Sequence, residues 1–596
     1  MHIPTHTLKT QKNLHTWAGI LCALFLTICF LSGALALYAD TIDRWATPPQ
    51  PVHHATPDNS AAHIRAVLAA HPEAAANLTL HYADHAPAPI SWTDKAGDEH
   101  WATLDGETLH TYHYPHNPLG AQANLLHQTA GIPGTIGGES LGLLIMGIIA
   151  VLYTLALVSG TILYLPTLIA DLFALRSDKS PRRAWLDTHN LLGLTGLPFH
   201  LAIAATTAVF AYHDLIYDGM DNLLPPEQHM KSHHAPPPAA SREKANLDRL
   251  ILPPALIKTA RQQRPDLTIT RITYRGLDNP QRAGAVLLGN IGNGSRPARL
   301  VINPYSGDIR YNSLKNDGYT PIINTFFHLH LGDYGGALIR AAYLILALMG
   351  AALFYTGNLL WLDKRPARGT FARTRIRMAA LSTGITLGSI NGIAFAFLAA
   401  RSLRHLPLAP AITNTAAYYT AFLASAAYAL WHARISAQTE ERASAHRPHD
   451  ASPAAETAGE NPNPVEAEPA SGQTKNVILS RLPPPHGNAH AAIRLTRCAA
   501  WLTLAIPTTS LLGAAHIPPY YLRTDTLGVD ITALILGLVL LHIARVSTRR
   551  LARARKDSVW YSEAKNARQA GQTPSPRRMG NLLPTRFAEK KQRPAR

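Results

Sequence analysis

The sequence predicts a mainly helical, polytopic membrane protein of about eight spans, with two small external α+β domains set in a duplicated span–domain–span unit. Three observations predict it. First, hydrophobic residues make up 47% of a chain that also carries 44 prolines, so they must be concentrated in blocks. Those blocks approach the length of about 20 residues that a helix needs to cross a bilayer. They are Ile20–Leu37, Leu141–Leu165, Leu191–Phe210, Ala337–Leu362, Met378–Ala400, Ala411–Trp431, Cys498–Ala515 and Val529–Ile543. Second, Lys and Arg cluster in every second loop: Lys9 and Lys12, then Arg176 to Arg183, then Lys364 to Arg377, then after the sixth run and after the eighth. The positive-inside rule reads this as both termini in the cytoplasm. Third, the stretch opening at His15 and the one opening at His189 superpose without a gap: Gly19 falls on Gly193, Tyr38 on Tyr212 and Asp40 on Asp214. A long internal repeat changes the fold expected of the whole chain.

Taken in order, residues 1–39 hold the first span, read as a retained anchor because Leu37-Tyr38-Ala39-Asp40 is a poor cleavage site. Residues 40–140 form a first external segment. A helical pattern at Ala61–Ala70 is followed by strands near Leu78–Tyr82, Ile90–Trp92 and His100–Leu104, with a turn at Asp105-Gly106-Glu107. Residues 141–213 hold spans two and three with a basic cytoplasmic loop. Residues 214–336 repeat the external pattern: helix at Ala255–Arg264, strands at Thr268–Tyr274, Ala283–Leu288 and Arg299–Ile302, then a turn into Ile309–Tyr311. Residues 337–362 are span four, in which Gly357 falls at the place that Gly160 holds in span two. Residues 363–437 carry spans five and six, and 495–546 spans seven and eight. Between them, 438–494 is rich in Ala, Pro, Glu and Asn and reads as a disordered cytoplasmic linker. The basic tail, 547–596, reads as lying along the anionic inner leaflet, with membrane lipid as its partner.

The net charge of +17 is accounted for by these loops, so no nucleic acid is implied. Three cysteines, all in or beside apolar runs, exclude a disulfide framework, a Cys-x-x-Cys cluster site and covalently attached haem. The chemistry then rests on histidine. An ionisable group at the mouth of a span marks function by default, and neutral imidazole is a common axial ligand to haem iron. His15 and His189 share a depth near the cytoplasmic face, and each has glycine four residues on, leaving room for a flat macrocycle. His200, eleven residues after His189, returns to the same face about 16 Å deeper, an offset that suits a second haem ligand. His213 falls on another face. The loop histidines His53, His54, His110, His113, His116, His229, His233 and His234 are solvated by default, although the composition allows metal capture. Gly289-Asn290-Ile291-Gly292-Asn293-Gly294 lacks the spacing of a dinucleotide loop, and no Walker motif occurs. If haem is held at these histidines, its electrons must come from quinol or from a separate protein.

The two His-x-x-x-Gly-led spans, each followed by an external α/β segment and a returning span, resemble the PepSY-associated transmembrane helix proteins over about the first 365 residues. Val301-Ile302-Asn303-Pro304-Tyr305-Ser306-Gly307-Asp308-Ile309 is similar to the closing strand and turn of a PepSY domain. The first segment has only Asp105-Gly106-Glu107-Thr108-Leu109 in that place. The resemblance implies a bacterial inner-membrane protein linked to iron uptake, with haem b, two copies, and a ferric siderophore reduced in the periplasm. It also implies an outer haem ligated by a histidine before each returning span: His127 with His328, and His330 or His200 as substitutes. Two other functions fit the same residues: a haem-free transporter of metal or chelate, and a membrane-anchored binding or regulatory module.

Overall fold

The computed structural model describes residues 4–47, 59–82, 88–94, 98–113, 116–136, 138–167, 181–223, 249–291, 296–312, 320–363, 372–403, 408–445, 489–516, 524 and 526–569. The first unit runs α1 (Thr5–Ala36), α2 (Ala39–Ala46), α3 (Ser60–Ala70), β1 (Asn77–His81), β2 (Ile90–Thr93), β3 (Glu99–Asp105), β4 (Thr108–His113) and α4 (Leu119–Thr129). A short hairpin of β5 (Thr135–Ile136) and β6 (Glu139–Ser140) leads into α5 (Leu141–Tyr164). The second unit repeats the order: α6 (Pro181–Thr195), α7 (Leu197–Leu223), α8 (Pro253–Gln263), β7 (Leu267–Arg275), β8 (Gly284–Ile291), β9 (Arg296–Ile302), β10 (Ile309–Asn312), α9 (Thr320–Leu331) and α10 (Gly336–Asp363). Four further helices follow: α11 (Ala372–Ser402), α12 (Pro410–Ala445), α13 (Ala489–His516) and α14 (Leu527–Gln569).

The expected strands form, but the two segments expected to be external do not make two separate domains. Their strands join into one antiparallel sheet in the order β10-β9-β8-β7-β1-β2-β3-β4. The seam is β1 against β7, with Thr79 opposite Thr273 and their hydroxyls 3.1 Å apart. Alternation puts Leu78 and Leu80 of β1 beside Ile272 and Tyr274 of β7 on one face, where α3 and α8 cover them. All four are fully buried, so the two copies share one hydrophobic core. Burying a side chain of this size contributes about 1.5–3 kcal/mol, which neither half could collect with its inner edge strand open to water. The turn glycines of the two copies, Gly106 and Gly307, both take positive φ (58° and 80°), as tight turns require.

Five stretches are long and apolar enough to cross a membrane: α1, Leu141–Thr167, α10, Thr374–Ser402 within α11, and Leu527–Arg553 within α14. The bent pair Arg183–Thr195 and Leu197–Tyr212 makes a sixth if counted as one span. Helices therefore stand at all eight expected places, and five or six of them meet that measure among the described residues. The runs expected as spans six and seven are helical too, but α12 carries Thr413, Asn414, Thr415 and Ser425, and α13 carries Thr503, Thr508, Thr509, Ser510 and an internal Pro507.

Span three departs from the continuous helix expected. It bends by 66° at Gly196, because Pro198 has no N–H to bond back one turn and Gly196 gives the backbone freedom there. The chain from 446 to 488, most of the expected linker, lies outside the described residues, as does the tail beyond Gln569. The start of the expected linker is instead the end of α12, and the first part of the tail continues α14. In the hairpin of α11 and α12, Gly384, Gly388 and Gly392 recur every fourth residue against Ala426, Phe422 and Tyr418. A Cβ on any of them would come within 3.0 Å of those neighbours, so the spacing sets how closely the helices approach.

Candidate functional site: two facing pairs of histidines

His15 of α1 and His189 of α6 face each other, with ring centres 6.2 Å apart and planes at 70°. Each is held by the returning helix of its own unit. His15 Nδ1 donates to the carbonyl of Ala156 at 2.8 Å, and a Cβ on Gly160 would lie 2.8 Å from its Cε1. His189 Nδ1 donates to the carbonyl of Leu353 and to Thr356 Oγ1, both at 3.2 Å, and Gly357 takes the place of Gly160. The arrangement has a physical reason. A helical carbonyl at position i already accepts the N–H of i+4 but keeps a second lone pair. Glycine at i+4 removes the side chain that would screen it, so an imidazole from a neighbouring helix can reach in. The glycines that follow the histidines behave differently. Among the described residues, nothing lies within 4 Å of where a Cβ on Gly19 would be, and only Leu353 Cδ1 lies that near Gly193.

At the sheet end of the bundle, His127 of α4 faces His330 of α9, with ring centres 5.9 Å apart and planes at 45°. His127 uses the same seat as the first pair: its Nδ1 donates to the carbonyl of Cys29 at 3.0 Å, and Gly33 stands four residues on, where a Cβ would lie 2.6 Å from that nitrogen. His330 Nδ1 donates to Thr206 Oγ1 at 2.8 Å, since the hydroxyl proton of Thr206 already goes to the carbonyl of Ala202. Of the partners the sequence offered for His127, which were His328 with His330 or His200 as substitutes, the ring that faces it is that of His330. His328 instead bonds Asp333 through Nδ1 at 2.6 Å, because helical spacing turns residues 328 and 330 to different sides. In all four ring-facing histidines Nδ1 carries the proton, which puts the lone pair on Nε2.

His200 joins neither pair. It is fully buried, and neither ring nitrogen has a hydrogen-bond partner among the described residues. Its ring neighbours are Phe30, Tyr153 and Phe199, and Gly196 and Gly350 leave room for it. The straight-helix placement fails because the bend at Gly196 lies between His189 and His200. Counting along the helices, Gly350 is seven residues from the His189 level at Gly357, about 10 Å, and His200 is six residues from Thr206, about 9 Å. The residue thus lies midway between the two pairs, which are about 21 Å apart along α1 from His15 to Cys29.

Among the other histidines of the sequence, His53, His54, His229, His233 and His234 lie outside the described residues, as do the side chains of His113 and His213. His110 and His116 are exposed. No group of three or more metal-ligating side chains is assembled among the described residues.

The sequence pointed to His15, His189, Gly160 and Gly357 through the repeat. It did not single out Gly33, Cys29 or Thr206. A Gly four residues after a position that meets an imidazole was the available signal for Gly33, but a backbone carbonyl has no residue type to recognise.

No curated protein matches the chain. The family model described as the PepSY-associated TM region matches residues 12–364, which contain both histidine pairs, both returning helices and the whole sheet. This chain therefore belongs to the PepSY-associated transmembrane family.

Proposed function

We propose that this protein is a transmembrane electron carrier of the bacterial inner membrane that holds two b-type haems, one between His15 and His189 and one between His127 and His330. The observation that carries this reading is the geometry of the pairs. An imidazole nitrogen stands about 2 Å from a metal it ligates and the ring centre about 1 Å further back, so two imidazoles sharing one ion in line have centres about 6 Å apart. The two pairs stand at 6.2 and 5.9 Å. Committing each Nδ1 proton to a carbonyl or hydroxyl fixes the tautomer and raises the basicity of Nε2, as for ligating histidines in general. Open space over Gly19 among the described residues, with a single leucine methyl in ordinary contact at Gly193, suits a flat macrocycle beside the first pair.

Bound haem would supply one-electron chemistry, and the protein tunes it by axial ligation and burial. The side chains do the rest: His15 and His189 face the end that the basic loops mark as cytoplasmic, where a quinol or a separate donor protein would deliver electrons. His127 and His330 stand at the sheet end, where an external acceptor would collect them. A ferric siderophore suits that acceptor, because reduction to Fe(II) loosens hard-oxygen chelation.

The test is an absorption spectrum of the purified chain. A Soret band, with split α and β bands on dithionite reduction, and about two haems per chain are expected. His15→Ala and His330→Ala should each remove one. A colourless protein, or one whose haem survives all four histidine substitutions, would sink the reading.

A further inference from the structure

The four C-terminal helices lie beyond the matched region, and the first unit is tied to them by buried polar bonds at its sheet end. We propose that α11–α14 form a clamp that fixes α2 and α4 and so positions His127, with Arg401, Asn414, Tyr419 and Asp530 as the positioning residues. The outer-haem part of this inference rests on the function proposed above.

The helix that carries His127 is held at both ends. Before its first turn, Asn117 donates from Nδ2 to the carbonyl of Ala400 at 3.3 Å and accepts at Oδ1 from Asn414 Nδ2 at 2.6 Å. Past its last turn, Tyr419 of α12 donates its hydroxyl to the carbonyl of Gly131 at 2.7 Å. There Ala130 and Gly131 both take positive φ, 49° and 76°, a conformation that costs an alanine free energy and needs outside support to persist. The neighbouring α2 is held by a buried charge network. Arg401 of α11 donates to the carbonyl of Trp45 at 3.0 and 2.6 Å and lies over its indole, 3.7 Å from the ring centre. Trp45 Nε1 donates to Asp530 of α14 at 3.1 Å, and Ser510 of α13 links Arg401 to the same carboxylate. Arg401, Ser510 and Asp530 are all buried. A guanidinium and a carboxylate in such a place are tolerated only when their bonds are satisfied together. From α2, Asp43 accepts the N–H of Gly120 in the first turn of α4, and Thr47 accepts that of Asn117. The grip on α2 is thereby passed to α4.

The second copy shows what the clamp replaces. α9 is held from within the matched region, by Phe210 of α7 stacked on Phe327 at 4.5 Å and by Tyr343 of α10 donating to the carbonyl of Leu329 at 2.6 Å.

The test uses the full chain and two sets of variants, Asn414→Ala with Tyr419→Phe, and Arg401→Met with Arg401→Lys as its conservative partner. Deuterium exchange of the α4 amides should quicken about tenfold in the double variant while α9 is unchanged. The outer haem should be lost or spectrally altered with the inner haem intact, so that adding His15→Ala removes what remains. Arg401→Lys should restore part of the signal that Arg401→Met loses. Unchanged exchange in α4, or equal changes in α4 and α9, overturns the clamp. Faster exchange with an unaltered outer spectrum overturns the positioning of His127. If the wild-type chain carries no haem, the proposed function falls and the exchange result alone decides the clamp.

Discussion

The inner and outer histidine pairs are built from the same repeat, yet one obeys it strictly and the other does not. Three of the four rings sit in one kind of seat, a carbonyl with glycine four residues on: Ala156 and Gly160, Leu353 and Gly357, Cys29 and Gly33. The fourth breaks the rule. Laid over α1, the place of Gly33 in α7 is held by Thr207, so no bare carbonyl is offered, and the Thr206 hydroxyl reaches out to His330 instead. The difference teaches that what the duplication preserves is an acceptor for Nδ1, with the residue supplying it free to change. It also separates histidines on long helices, seated against the returning helix of their own unit, from those carried by short helices that must be held in place.

The largest effect should come from the two neighbouring histidines of α9. On the function proposed above, His330→Ala removes one ring of the outer pair and should drop haem content from about two per chain to about one. His328→Ala breaks only the contact with Asp333 and should leave both haems. Pyridine haemochrome titration of the two variants decides between them, and the opposite result would return the pairing to His328.

Next come the seats. Gly33→Ala, Gly160→Ala and Gly357→Ala add one methyl each at 2.6, 2.8 and 3.3 Å from the nearest imidazole atom. Overpacking of this sort costs about 1–3 kcal/mol, so haem retention should fall in the order Gly33, Gly160, Gly357, the last least because its neighbour has only tenths of an ångström to give. Gly33→Ala should act on the outer haem and the other two on the inner. A flat series would mean that the glycines serve helix packing alone. Of the same order is Thr206→Val, which leaves the Nδ1 proton of His330 without its acceptor at about 1–3 kcal/mol. Thr206→Ser should restore the outer haem spectrum, since it keeps the oxygen.

Much of this could be read before the fold was known. Apolar runs located the long helices, of which five or six are long and apolar enough to cross a bilayer among the described residues, and the ungapped match of His15 to His189 located the inner pair. Alternation located the strands. What could not be read were contacts between distant segments. The β1–β7 seam joins edges 190 or so residues apart, and nothing in either strand says which partner covers it. The outer partners were ambiguous because α4 and α9 are short helices whose direction is set by the helices they lie against. Two signals stood in plain view: Gly196 with Pro198 inside an apolar run, and Arg401 and Asp530 at the edges of others. A break and a buried ion network were what they marked.

The smallest effect should separate the sheet from the clamp by pH. His81 of β1 stacks on Trp101 at 4.7 Å and bonds Ser91 Oγ at 2.9 Å. Burial, with Arg271 adding to it, holds its imidazole down to about 3 from an ordinary 6.5. A group lowered in this way contributes stability that is present above about 6.5 and is lost as pH falls toward about 3, by at most about 2 kcal/mol at pH 5. Asp43, at the junction of α2 and α4, has the opposite sign. Burial raises its carboxyl to about 6, against the hydrogen bonds from Gly120 and Ala121 that lower it. Its contribution is therefore full below about 4 and is lost as pH rises through about 6. Acid should loosen the seam of the sheet while leaving α4 at least as firmly held. Thermal unfolding followed by tryptophan fluorescence at pH 7 and pH 5 should show the loss in the wild type and a flatter response in His81→Gln. If the two respond alike, the acid sensitivity of the sheet lies elsewhere, and the two halves of the sheet end are not distinguished by charge.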